Sequence, residues 1–96
     1  MKTMIAPNEF YDKITATEVN KKRKFGSPMA TIRVENDNPS PGDSVFITFA
    51  SWEATTQNIE VKAGELFEVL LPSPTEGMAM ICAAGKTAKV RCTAWG

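Results

Sequence analysis

Ninety-six residues are one domain's length of chain, with 43% hydrophobic and 23% charged residues and a formal net charge of zero. That balance excludes a wholly disordered chain and a collagen-like one, and no apolar run approaches the roughly 20 residues a membrane-spanning helix needs. A domain of this size buries only about two-thirds of the surface its unfolded chain exposes, so its core is modest.

The N-terminus runs Met1-Lys2-Thr3-Met4-Ile5-Ala6-Pro7 into Asn8, Glu9 and Asp12 without an apolar signal core. A chain beginning at Met1 and made in a reducing cytoplasm is therefore expected. Residues 1–33 carry seven basic and three acidic side chains, net +4, and residues 34–96 carry net −4. The pattern suggests a basic N-terminal arm, residues 1–28, attached to an acidic body, residues 29–96. Such an arm can lie on an acidic surface of another subunit by charge complementarity.

Within the arm, Asn8 can cap a short helix with Phe10 and Ile14 one turn apart, while Thr15, Thr17 and Val19 alternate as an extended segment would. Both conformations fit. The stretch from Asn20 to Pro28 contains Lys21-Lys22-Arg23-Lys24-Phe25 and ends in Gly26-Ser27-Pro28, which reads as a linker.

From Met29 the hydrophobic period becomes two. Ala30, Ile32 and Val34 alternate with Thr31, Arg33 and Glu35, as in a half-buried strand. Asn36–Asp43 is a dense turn cluster, and a strand at Ser44–Ala50 follows with Val45, Ile47 and Phe49 on one face. Gln57–Lys62 and Glu65–Leu71 suggest a hairpin across Ala63-Gly64. Pro72–Gly77 is expected to break the sheet. Met78–Ala83 and Thr87–Ala94 then suggest a second hairpin, its last strand alternating Ala88, Val90, Cys92 and Ala94 with Lys89, Arg91 and Thr93. The fold expected is all-β: a small antiparallel β-sandwich or barrel of about six strands, with an extended or partly helical N-terminal arm.

Candidates for chemistry are few. The chain has no histidine, which removes the commonest general base and metal ligand. Cys82 and Cys92 alone cannot complete a zinc site and read as reduced, inward-facing core residues. Glu60, Glu65 and Glu68 surround the Ala63-Gly64 turn with nothing nearby to separate their pKa values, so solvated strand-edge charges are the better reading. No glycine-rich phosphate cradle is present. No catalytic residue, cofactor or metal is expected, and the chain reads as a non-enzyme.

Six side chains remain as candidate partner-binding residues: Lys21, Lys22, Arg23, Lys24, Phe25 and Trp52. The basic run suits an acidic protein surface. Nucleic acid would be better served by interleaved aromatics, and only Phe25 lies adjacent. Trp52, in a polar loop, can cap the core, sit at an interface or stack on a sugar ring.

Over Asn58–Val69, a strand, an Ala63-Gly64-Glu65 turn and a second strand, the sequence resembles small structural proteins of tailed-bacteriophage virions. The Pro/Gly break and the final strands after it extend the likeness over residues 29–96. The nearest type is the capsid decoration, or cement, protein. The resemblance implies a virion structural protein whose partners are the major capsid protein or other virion subunits. A homo-oligomer such as a trimer, with no membrane partner, suits the charge-split arm and body. A tail or fibre module recognising a surface glycan is the second reading, and a small nucleic-acid-binding β-domain using Lys21–Lys24 the third.

Overall fold

A computed structural model describes residues 9–96. It is a single antiparallel sheet of six strands: β1 (Glu9–Ala16), β2 (Lys21–Asn36), β3 (Val45–Thr48), β4 (Ile59–Val61), β5 (Leu66–Ile81) and β6 (Ala88–Trp95). Their order across the sheet is β1-β6-β2-β5-β3-β4. Among the described residues there is no helix.

The number of strands agrees with the sequence, but their identity does not. Glu9–Ala16 is a strand and not a helix, paired over all eight residues with β6 from Glu9↔Trp95 to Ala16↔Ala88. Its inward side chains Ile14 and Ala16 are 3% and 0% exposed, and that burial decides a segment whose local pattern suited both conformations. The boundary at residue 28 also falls inside β2, so residues 9–28 belong to the sheet. Of the expected arm, residues 1–8 lie outside the described residues.

Neither expected hairpin pairs. The 62–65 turn closes, with the Glu65 amide donating to the Lys62 carbonyl at 2.9 Å. The end of β2 then captures it: the Asn36 amide donates to the Glu65 carbonyl and the Gly64 amide to the Asn36 carbonyl, both at 3.0 Å. β5 is thereby delivered to β2, and β4 is left to pair with β3. The second turn is captured by the β1–β2 connection, where the Cys82 amide donates to the Thr17 carbonyl at 2.8 Å and the Gly85 amide to Glu18 at 2.6 Å. β6 consequently inserts between β1 and β2.

Pro72–Gly77 does not end the sheet either; β5 runs through it as one 16-residue strand. The ladder is irregular there on both sides. Lys24 pairs with Gly77 and Met29 with Thr75, leaving four residues of β2 opposite Glu76; Thr31 then pairs with Leu70, leaving four residues of β5 opposite Ala30. Both excess segments hold the residues a regular ladder rejects. Pro28, Pro72 and Pro74 have no amide to donate, and Gly26 adopts φ +89°. Paired bulges bend both long strands at one corner.

The core gathers side chains from every strand, including Ile14, Phe25, Ile32, Val34, Ile47, Val61, Met78, Met80 and Val90. The four inward residues of β6 are buried as the alternation requires, from Ala88 at 1% to Ala94 at 0% exposed. In β4, Val61 is buried while Ile59, on the same side of the strand by alternation, is 40% exposed.

Candidate functional site

The bulged corner forms the most sculpted part of the surface. The connection after β3 crosses over it and is fastened by Asn20, whose Nδ2 donates to the Trp52 carbonyl and whose Oδ1 accepts from the Ala54 amide, both at 2.8 Å. This clamp lays the Trp52 ring against Gly77. A Cβ at Gly77 would collide with both that ring and the Arg23 carbonyl, so only glycine permits the approach. A depression of about 290 Å³ opens there between Phe49, Trp52, Pro74 and Glu76. It adjoins one of about 340 Å³ along Leu71 and Pro72, and one of about 200 Å³ beyond Glu76 walled by Lys24 and Pro28. The result is an open furrow with an aromatic wall, and a carboxylate and an ammonium at one end. Thr75 is half-buried in the furrow wall, its hydroxyl 3.2 Å from the Gly77 carbonyl to which it donates. The arrangement can stack a ring and hydrogen-bond its rim, and nothing in it pairs a nucleophile with a base.

The residues singled out in the sequence separate into different environments. Lys22 and Lys24 are exposed on one face of β2, while Lys21 and Arg23 are half-buried on the other. Arg23 Nε donates to Asp12 at 3.0 Å. The four consecutive cations therefore do not make one patch, because strand geometry sends neighbours to opposite faces. Phe25 is a core residue, 5% exposed, its ring 5.0 Å from that of Phe10, and it is not available to a partner. Only Trp52, 40% exposed, and Lys24 meet at one feature, the furrow.

A second surface was not singled out in the sequence. The registers of β1, β6, β2 and β5 align their outward side chains in three rows: Glu9–Trp95–Thr31–Leu70, Tyr11–Thr93–Arg33–Glu68 and Lys13–Arg91–Glu35–Leu66. Leu70 is 72% exposed, Tyr11 54% and Leu66 51%, three large side chains open to solvent on this face. Charged groups lie between them. Arg91 is paired with Asp37 at 2.8 Å and approaches Glu35 at 3.5 Å, and its hydrogen bond to Asp37, followed by these two negative charges, raises its pKa. Arg33 reaches Glu68 at 3.7 Å, and its buried Nε has no hydrogen-bond partner. Leu66 and Leu70, on the polar side of an otherwise alternating strand, were the available sequence signal.

The acidic trio is dispersed: Ser44 donates to Glu60 at 2.8 Å, the Lys62 amide to Glu65 at 2.8 Å, and Glu68 faces Arg33. Cys82 and Cys92 are both buried free thiols, and burial raises both pKa values, Cys92 to about 12. A thiol held protonated in this way is a poor nucleophile.

No protein-family model matches the chain, and no curated protein sequence does. Among solved structures, the plu4264 protein from Photorhabdus luminescens is similar with a TM-score of 0.55 at 13% identity, over 100% of this chain and 68% of that one. The cupin domain of Drosophila melanogaster CENP-C gives a TM-score of 0.49 at 9% identity, over 95% and 62% of the two chains. The SPY1581 protein of Streptococcus pyogenes gives 0.48 at 13% identity, over 96% and 78%. The first likeness is one of fold alone.

Proposed function

We propose that the chain is a non-enzymatic assembly protein whose docking surface is the outer face of β1, β6, β2 and β5. The observation that carries this reading is the placement of Leu66, Leu70 and Tyr11 in the open on one regular four-stranded face. Large apolar side chains held on a rigid sheet contribute to binding without losing backbone freedom, and the interleaved charges fix orientation. In the form that the sequence resemblance implies, the assembly is a bacteriophage virion, the partner its major capsid protein, and the chain a decoration subunit. Such a protein needs no chemistry, because binding the assembled lattice and not its free subunits favours the lattice by mass action.

The fold reading that accompanies this proposal is a small barrel. β2 and β5, bent together at the bulges, carry the sheet from its β1-β6 side to its β3-β4 side, which supports folding of the sheet over on itself. The bent strands would then give the face a rigid backing.

The test is co-sedimentation with assembled capsids. The Leu66→Glu/Leu70→Glu variant should remain folded by circular dichroism and lose capsid binding by at least about tenfold. Undiminished binding would contradict the proposal. Deleting residues 1–28 is not an equivalent test, because it removes β1 and the first half of β2.

The furrow favours the second reading, glycan recognition, through one observation: Trp52 is clamped from behind by Asn20 with its ring at the surface. Quenching or a spectral shift of indole fluorescence on titration with oligosaccharides, abolished by Trp52→Ala, is the expected sign. Titration without change would remove this reading.

A further inference from the structure

We propose that the free backbone edge of β5 over residues 66–71 pairs antiparallel with the same edge of a second copy, about a two-fold axis at Val69. This goes beyond the docking reading above, because it uses the main chain of β5 and not the side chains of the outer face.

The turn before β5 sets the phase of its backbone. Gly64, at φ +81°, donates its amide to the Asn36 carbonyl while the Asn36 amide donates to the Glu65 carbonyl, so two residues lie opposite one in a glycine-type bulge. Beyond the bulge an antiparallel ladder alternates, which makes Val34 with Phe67 and Ile32 with Val69 the hydrogen-bonded pairs of the β2–β5 register. The other side of β2 agrees. The Asp37 amide, two residues on from Glu35, donates to the Lys89 carbonyl of β6 at 2.7 Å, so the alternate residues of this strand turn to β6. The amides and carbonyls of Leu66, Glu68 and Leu70 therefore point away from β2. Among the described residues, β5 has a ladder on its other side only at residues 79–81, where it meets β3.

The core also runs out at this edge. Ile32 and Val34 of β2 are 0% exposed, yet the inward Phe67, Val69 and Leu71 beside them are only half-buried. Free backbone groups and uncovered inward side chains together fit one more strand, apolar at alternate positions. Among the described edges, β5 itself offers such a strand. β4 has only three residues, and β1 is engaged with β2 through the Arg23–Asp12 pair. Residues 66–71 also contain neither lysine nor proline, the usual means by which an exposed edge resists pairing.

A two-fold axis perpendicular to the sheet at Val69 keeps the inward sides of both copies together. It pairs Glu68 with Leu70 of the second copy twice, through their outward-pointing amides and carbonyls, and sets Val69 against Val69 and Phe67 against Leu71. Every inward contact is then apolar, and each Glu68 carboxylate stays at the solvent face beside its own Arg33. An axis at Glu68 would add one hydrogen-bonded pair, but it would oppose two carboxylates and set Leu71 against Glu65. The edge is about 20 Å long and about 10 Å high, so each copy contributes about 200 Å² of contact. That is far below the roughly 800 Å² per partner of a stable complex, and the pair should be weak and concentration-dependent.

Hydrogen exchange of the unmodified chain, followed by NMR between about 10 μM and 1 mM, reads the edge directly. The Phe67 and Val69 amides should be protected at every concentration, and those of Glu68 and Leu70 only as the concentration rises. Sedimentation velocity over the same range should show a monomer–dimer equilibrium. Glu68→Pro and Leu70→Pro each remove an outward amide that makes no bond to β2, so both should stay folded by circular dichroism and weaken the dimer at least about tenfold. Under mild oxidation Val69→Cys chains should cross-link to each other, because facing residues of a non-hydrogen-bonded pair lie about 4.5 Å apart at Cα, and Phe67→Cys chains should not. A chain that stays monomeric to 1 mM, or a dimer indifferent to both prolines, would overturn the pairing. Protection of the Glu68 and Leu70 amides that does not change with concentration would show the edge filled within one chain, which overturns the second copy. Cross-linking of Phe67→Cys in place of Val69→Cys would overturn the axis.

Discussion

At the scale of single residues, three side chains carry consequences larger than their size. Asn36 is 2% exposed, and its Nδ2 donates to the carbonyls of Asp43 and Val61 while its Oδ1 accepts from the Asn38 amide. Asn36→Ala leaves these groups without their buried partners and should cost about 2–3 kcal/mol, read as a fall in the urea midpoint at constant m-value. Gly77→Ala should cost a similar amount by overpacking, and should also shift Trp52 fluorescence, because the new methyl group occupies the place of the indole ring. Cys92 sets a pH limit. Its pKa rises from an ordinary value of 9.0 to about 12 in the folded chain, mainly by desolvation. Between those values the unfolded chain has lost the thiol proton and the folded chain retains it, so raising the pH favours unfolding. Stability from this group is complete below about pH 9 and declines above it by at most about 1.4 kcal/mol per pH unit. Cys92→Ala should flatten that part of the profile by the same slope, and an unchanged slope would show that the thiol does not contribute.

At the scale of elements, β1 is the informative case. It joins no neighbour in sequence: its partner is β6, at the far end of the chain, and its inner face completes the core. Removal of residues 1–16 should therefore abolish the cooperative unfolding transition and expose apolar surface to dye. A body that unfolds cooperatively without β1 would contradict this. The same element explains what the sequence withheld. Alternation in β6 was legible because all four of its inward positions are apolar and its outward ones polar. β1 offered only Phe10, Ile14 and Ala16 inward, separated by a charged Asp12 that is in fact paired with Arg23. The proline clusters correctly located irregular backbone, but proline marks a place where a ladder hydrogen bond is missing and does not say whether the strand resumes beyond it. Pairing was the least legible level. Both turns at Ala63-Gly64 and Ala84-Gly85 close as hairpin turns do, and each is diverted by a backbone group distant in sequence: Asn36 in one case and Thr17 in the other. Of the proposed binding residues, the lysine run was misleading because strand geometry divides it. Trp52 and Lys24 meet at the furrow only because β2 and β5 bulge together.

At the scale of the whole molecule, the topology joins the chain's two ends. β6 lies between β1 and β2, and β2 between β6 and β5, so most pairings are long-range and folding should take milliseconds to seconds, as measured by stopped-flow fluorescence of Trp52 and Trp95. The charge asymmetry takes on a different meaning in the folded chain. The basic N-terminal third and the acidic remainder are interleaved strand by strand, with Arg33–Glu68 pairing across the two, Arg23–Asp12 within the first and Arg91–Glu35 within the second. Such exposed pairs each contribute about 0–1 kcal/mol, so they orient contacts more than they stabilise the fold. With residues 9–28 in the sheet, the ring of copies expected from a free basic arm on an acidic body loses its basis. Two surfaces then compete for the role of docking site, and hydroxyl-radical footprinting of the chain bound to assembled particles separates them in one measurement. Binding through the outer face should protect Tyr11, Leu66, Leu70 and Trp95 and leave Trp52 oxidised at its free rate. Protection of Trp52 with the four outer-face residues unchanged would contradict that assignment.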